Sequence, residues 1–117
     1  MTQQDIAQII ASIGLPYAYD HFTKDDTPGA PPFICFLITG SDNFMADGSV
    51  YKRIKTLSIE LYTDEKDPDL EATVEAALDA AGLCYNSDDN RIDAEHMYEV
   101  IWSMEVMMDP PEAQTPI

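Results

Sequence analysis

The sequence predicts a single α+β domain over residues 1–108, with a mostly antiparallel or mixed sheet of four to five strands and two helices packed on one face. Two segments carry the apolar stripe of a helix, and apolar runs or alternations of strand length lie around them. Most strands are joined by connections too short for a parallel crossover. At 117 residues the chain can bury one core, roughly two thirds of the unfolded surface, and cannot bury two.

Residues 3–13 place Ile6, Ile9, Ile10 and Ile13 on one helical face, and Gly14 and Pro16 close it. Thr2 is the predicted N-cap, with Asp5 in the first turn where the helix dipole favours a carboxylate. Leu15 to Phe22 reads as a short aromatic strand, followed by a loop, TKDDTPGAPP, whose prolines cannot sustain a ladder. FICFLIT, residues 33–39, is a continuous apolar run of an interior strand. GSDNFMADG, residues 40–48, reads as a long presented loop holding Phe44 and Met45, either as a docking tip or as a lid on the core. A strand over 49–62 changes apolar phase between Val50, Ile54 and Leu57, Ile59, Leu61, which a bulge near Lys55 and Thr56 would reconcile. Asp67 caps a second helix that opens on Pro68 and runs along Leu70, Val74, Ala77, Leu78 and Ala81 to Gly82. Leu83 to Asn86 and Arg91 to Asp93 suggest a short hairpin about a turn at SDDN. From Tyr98, Val100, Trp102, Met104, Val106 and Met108 alternate with polar residues in a long strand with one core face. Residues 109–117, DPPEAQTPI, read as a flexible tail.

The charge balance is abnormal, with 22 acidic against 6 basic residues and a formal net charge of −16. Such a field repels phosphate backbones and anionic lipid headgroups, which excludes specific nucleic-acid binding and argues against a membrane partner. No segment holds the roughly 18 apolar residues of a membrane span, and the polar start MTQQD lacks the regions of a signal peptide. The chain is expected in the cytoplasm when made. Its hydrophobic fraction of 45% is that of an ordinary globular protein, so the acidity does not imply disorder. Cys35 and Cys84 lie in apolar runs and read as two buried thiols, with a disulfide as the alternative.

The sequence holds no recognisable catalytic, cofactor or metal site. Neighbouring carboxylates follow from composition, and the pairs Asp25, Asp26 and Asp88, Asp89 lie in turn sequences. His21 and His96 lack the paired spacing by which they could bind zinc with Cys35 and Cys84. Asn86, Asp88 and Asn90 begin a calcium-loop pattern, but Arg91 stands where glycine is needed and Met97 where a bidentate Glu is needed. Nucleotide-binding and nucleophile-elbow motifs are absent from the sequence. Two features point to interaction instead. Lys52, Arg53 and Lys55 gather half of the basic residues, either as a solvated strand face or as a stripe that meets an acidic face of a neighbouring copy. Phe44 and Met45 are the second. Met97, Met104, Met107 and Met108 beside Trp102 read as core filling, with a pliable interface as the alternative.

The wording of several segments carries a resemblance. GSDNFMADGSVY (40–51) and SIELYTDEKDPDLEATVEAALDAAGL (58–83), with LPYAYDHF, APPFICFL and MYEVIWSMEV, resemble small tail-completion and tail-terminator-like proteins of tailed phages and prophages of Gram-positive bacteria. The resemblance spans about residues 2–108. It implies a non-enzymatic virion protein of the tail or neck that forms a ring, commonly of six subunits, between the tail tube protein and the head connector protein. No cofactor is implied. An acidic ring lining would repel passing DNA. The alternative reading of the charge is an acidic DNA mimic that inhibits a host nucleic-acid enzyme, which would need carboxylates spaced like phosphates along one face.

Overall fold

The computed structural model describes residues 1–21, 29–92 and 96–108, and of residues 50–52 the backbone alone. Helix α1 spans Gln3–Ala11 and α2 spans Pro68–Ala80. The strands are β1 (Tyr17–Tyr19), β2 (Phe33–Ser41), β3 (Phe44–Ala46), β4 (Ser49–Lys52), β5 (Ile54–Thr63), β6 (Asn86–Ile92) and β7 (Met97–Met107). Five of them form one sheet in the order β1-β2-β5-β7-β6, and β3 pairs with β4 in a separate two-stranded ribbon. The main sheet is mixed: β1 runs parallel to β2, and every other neighbouring pair is antiparallel.

Both helix starts follow from their caps. Thr2 Oγ1 accepts from the Asp5 N–H at 3.1 Å while Asp5 Oδ2 accepts from the Thr2 N–H at 2.8 Å, a reciprocal capping box. These bonds hold the Asp5 carboxyl below its ordinary value. At α2, Asp67 accepts from the Leu70 N–H at 3.1 Å and Pro68 fills the first turn. Helix α1 ends at Ala11, two residues short of the predicted end, because Ile13 and Gly14 bond back to Ile10 and Ala11 in tighter turns.

Both helices lie on one face of the sheet. Ile6 and Ile10 of α1 and Val74 and Leu78 of α2 share a single core with Ile34 and Phe36 of β2, Leu57, Ile59 and Leu61 of β5, and Val100, Trp102, Met104 and Val106 of β7. The register requires this: Ile34 pairs with Leu61 and Phe36 with Ile59, and across β5 Leu57 faces Met104, Ile59 faces Trp102 and Leu61 faces Val100. Trp102 is fully buried, and its indole N–H donates to Glu75 Oε2 of α2 at 2.9 Å, so the one polar atom of the largest core side chain is satisfied.

Four expectations change. Strand β1 is three residues long, since Asp20 takes a left-handed conformation (φ 67°) and ends it; Phe22 and most of the following loop, 22–28, lie outside the described residues. The expected loop 40–48 is instead the end of β2 and most of a β-hairpin. Asp47 (φ 52°) and Gly48 (φ 77°) both have the positive φ of the two-residue turn that Asp-Gly favours between twisted strands. The phase change in 49–62 comes from a break at Arg53, where the chain leaves the β3–β4 ribbon for the main sheet. The bulge sits on β2, with Thr39 the extra residue between the pairs Ile38–Leu57 and Gly40–Thr56. Finally, 86–92 is one continuous edge strand against β7, with no turn at SDDN. Its side chains are exposed up to Arg91, so polar residues cost nothing there, and charges on an edge discourage pairing with other chains. Asp93 and the tail 109–117 lie outside the described residues.

Met104 is in the core, Met97 and Met108 are half-buried, and Met107 is 55% exposed, so the methionine cluster divides between filling and surface. Leu57 sits at the centre of the core, on the strand paired on both sides. Its replacement, Leu57→Ala, is expected to lower unfolding free energy by about 2–5 kcal/mol. Urea denaturation followed by the fluorescence of Trp102, the only tryptophan, measures it; a loss below ~1 kcal/mol would contradict a close-packed site.

Candidate interaction surfaces

The five residues singled out in the sequence come together at one end of the molecule. Phe44 and Met45 lie on β3, 57% and 61% exposed, so they are presented outward and do not form a lid on the core. Lys52, whose side chain lies outside the described set, pairs through its backbone with Phe44. Arg53 is the hinge between ribbon and sheet, and Lys55 pairs with Ser41 and Val106 in the first turn of the ladder. Arg53 and Lys55 are half-buried, and neither makes an ion pair among the described residues. The ribbon is fixed at its base. The Asp42 N–H donates to the Ile54 carbonyl at 2.9 Å, the Ile54 N–H donates to Asn43 Oδ1 at 3.1 Å, and the Met108 N–H donates to the Arg53 carbonyl at 2.9 Å. Asn43 thus supplies from a side chain the acceptor that the broken ladder would otherwise leave missing.

A second surface was not visible in the sequence. No described helix lies on the opposite face of the sheet, where the register puts Phe33, Tyr62, Glu99 and Asn90 in one row and Cys35, Glu60, Ile101 and Asp88 in the next. Leu37, Ser58, Ser103 and Asn86 form a third row, and Thr56 with Glu105 continues it. Glu60, Asp88, Glu99 and Glu105 stand in these rows, Asp20 beyond the end of β1 is a like-charged neighbour of Cys35 and Glu60, and no Lys or Arg among the described residues stands in the rows. The Tyr62 hydroxyl is the centre of a small network, 2.7 Å from Glu99 Oε2 and 3.0 Å from Glu60 Oε1, with its ring stacked on Phe33 at 5.1 Å. One hydroxyl hydrogen serves one carboxylate. The second contact is satisfied when Glu60 is protonated, and burial, with Glu99 and Asp20 as like-charged neighbours, raises the Glu60 carboxyl above its ordinary value.

One of the two thiols differs from expectation. Cys35 is buried, and desolvation followed by the nearby Glu60 and Asp20 pushes it up to about 11, so it is a thiol with little nucleophilic character. Cys84 is exposed and free, because β6 starts two residues later and leaves it at the rim of a cleft of about 660 Å³ beside Tyr85, Thr56 and Glu105. His21 lies 3.0 Å from Asp20 on the surface and His96 is an exposed turn residue, so the two histidines and two cysteines do not converge. Among the described residues no group of three or more His, Cys, Asp or Glu could hold a metal ion. Asn86, Asp88 and Asn90 alternate along a strand and do not encircle a cation. Asp89 pairs with Lys66, which also meets Glu71 at 2.9 Å; Asp25 and Asp26 lie outside the described residues.

No protein-family model matches the chain, and no curated protein sequence matches it. Among solved structures, the fold is similar to that of a chain in the virion of a native gene transfer agent particle, with a TM-score of 0.55 and 15% sequence identity, over 92% of this chain and 89% of that one. The likeness establishes a shared fold along nearly the whole of both chains.

The Tyr62 network generates a pH prediction with a definite sign. A carboxyl raised in the folded state binds its proton more tightly there than in the unfolded chain, so its contribution is fully present at low pH and is lost as pH rises through the raised value. Glu60→Gln keeps, through its amide N–H, a donor to the Tyr62 oxygen and cannot ionise. It is expected to be more stable than the parent at neutral pH, with the difference vanishing at the acid end of the carboxylate range. Urea midpoints at the two pH values test this, and a variant less stable at neutral pH would show that ionised Glu60 is favoured in place.

Proposed function

We propose that this chain is a structural subunit of a phage-like virion, and within it a tail-terminator-like protein that forms a ring at the head-proximal end of the tail tube. The observation that carries the proposal is the fold shared, over 92% of this chain and 89% of the other, with a chain of a gene transfer agent virion; the segmental resemblance to tail-completion proteins supports the finer position. On this reading the protein works by shape. One side of the ring caps the tail tube protein and the other receives the head connector protein, with no cofactor and no turnover. The net charge of −16 suits a lining that DNA passes without adhering. A two-stranded ribbon with Phe44 and Met45 exposed along its first strand, fixed at its base by three hydrogen bonds, is a suitable element for reaching a neighbouring subunit.

Deleting the gene from the particle-producing strain separates the two levels. Mass spectrometry of purified wild-type particles is expected to find the chain, and its absence there would refute a virion role altogether. Electron microscopy of the deletion lysate is expected to show filled heads apart from tails, or tails of uncontrolled length, with joining restored when the gene is supplied in trans. Normal joined particles from the deletion strain would remove the terminator role and leave another virion position.

A further inference from the structure

We infer that the helix-free acidic face of the sheet, at the β7–β6 side, is the docking surface for the basic corner of a second copy of this chain. The inference deepens the ring proposal, on which it rests, by naming both halves of the contact. Glu60, Asp88, Glu99 and Glu105 stand on that face with no Lys or Arg in their rows among the described residues. Asp88 and Glu105 are exposed, and so are Asn86, Asn90 and Ser103 around them. The half-exposed Ile101 and Tyr62 add apolar area between the charges, giving the mixture of apolar centre and polar rim that protein interfaces use.

The basic corner forms no ion pair with this face among the described residues. Arg53 and Lys55 carry no ion pair among the described residues. Arg53 precedes Glu60 by seven positions along β5, ~23 Å at strand rise and beyond a Debye length of about 10 Å; Glu105 is nearer, three residues or ~10 Å along β7 from Met108, whose N–H meets the Arg53 carbonyl. Lys55 lies in the alternate phase of β5 from Glu60, paired with Val106, whose side chain is in the core, so it projects to the other side of the sheet. Among the described residues, one copy therefore has a positive corner without an ion pair and an acidic face whose rows hold no Lys or Arg. Each is complementary to the other on a different copy, and a contact between unlike patches is heterologous, the kind that closes into a ring when the rotation permits. The alternation of signs also suppresses like-to-like pairing of the acidic faces.

Charge exchange tests the contact in the full chain. Arg53→Glu with Lys55→Glu reverses the corner, Asp88→Lys with Glu105→Lys reverses the face, and a third protein carries all four changes. Sedimentation velocity at low salt is expected to show salt-sensitive self-association of the parent, weakened on the order of tenfold or more in each pair variant. The four-fold variant, acidic at the corner and basic on the face, is expected to associate again, as is an equimolar mixture of the two pair variants. Neutral versions, Arg53→Gln with Lys55→Gln and Asp88→Asn with Glu105→Gln, read the same loss if a reversal fails to fold by Trp102 fluorescence. A parent that stays monomeric at the highest concentration, pair variants that associate as the parent does, or failure of the four-fold variant to recover would each overturn the inference. Face variants that associate normally but are missing from purified particles would assign the face to a different basic partner and likewise overturn it. Presence of the parent in particles is judged separately, so the virion proposal can survive the loss of this contact.

Discussion

Strand β5 is paired on both sides along its length, with β2 on one and β7 on the other. A slip of one residue in either ladder would turn Leu57, Ile59 and Leu61 out of the core and put Ser58, Glu60 and Tyr62 beneath the helices. The register of this strand therefore decides which side chains are core and which are surface on three strands at once. Helix placement follows from it, since α1 and α2 have apolar stripes that can be buried only on the face the register makes apolar. The same constraint creates the other face: residues excluded from the core by alternation must stand opposite, and in this sequence they are acids, amides and hydroxyl residues mixed with Phe33, Cys35, Leu37 and Ile101 around Tyr62.

That separation explains how a domain with so large a net charge remains foldable. The core is uncharged, and the buried indole N–H of Trp102 finds its partner in Glu75 at the margin. Acids are placed where they do useful local work, at the caps of both helices and along the exposed edge β6, or where water screens them. The network about Tyr62 is the exception, because there carboxylates are partly withdrawn from water without a Lys or Arg partner among the described residues. Neutralisation of Glu60 by a proton is the relief available within one copy, and its raised affinity for that proton comes first from burial and then from Glu99 and Asp20 as like-charged neighbours.

How far the sequence was legible depended on whether a feature lay on one element or across several. The helices were readable from 3.6-residue stripes bounded by Thr2, Asp67, Gly14 and Gly82, and β2 and β7 from an apolar run and an alternation. The β3–β4 ribbon was missed because three residues of strand give no periodicity, although Asp47-Gly48 was a hairpin signal. Strand β6 was taken for a turn because NSDDN has turn composition; an edge strand with both faces wet is free to have it. At the candidate surfaces, adjacency in sequence made Lys52, Arg53 and Lys55 a visible cluster, and Phe44 joined them through the Phe44–Lys52 pair. The acidic face was invisible for the converse reason. Glu60, Asp88, Glu99 and Glu105 are scattered along the chain and converge only through the registers of three strands.

The low identity to the gene transfer agent chain is compatible with this division of labour. What the fold requires is a pattern: apolar residues in one phase of β2, β5 and β7, two stripes to cover them, and caps to start the helices. Many residues satisfy such a pattern, so a shared architecture can persist while side-chain identities diverge, as cores tolerate extensive apolar substitution at constant volume. The opposite phase of the same strands is under no such requirement from folding. If the proposed ring exists, its contacts would be expected to reside in that free phase and in the ribbon. There residues can change to follow a partner, or a neighbouring copy, without disturbing the register that makes the domain.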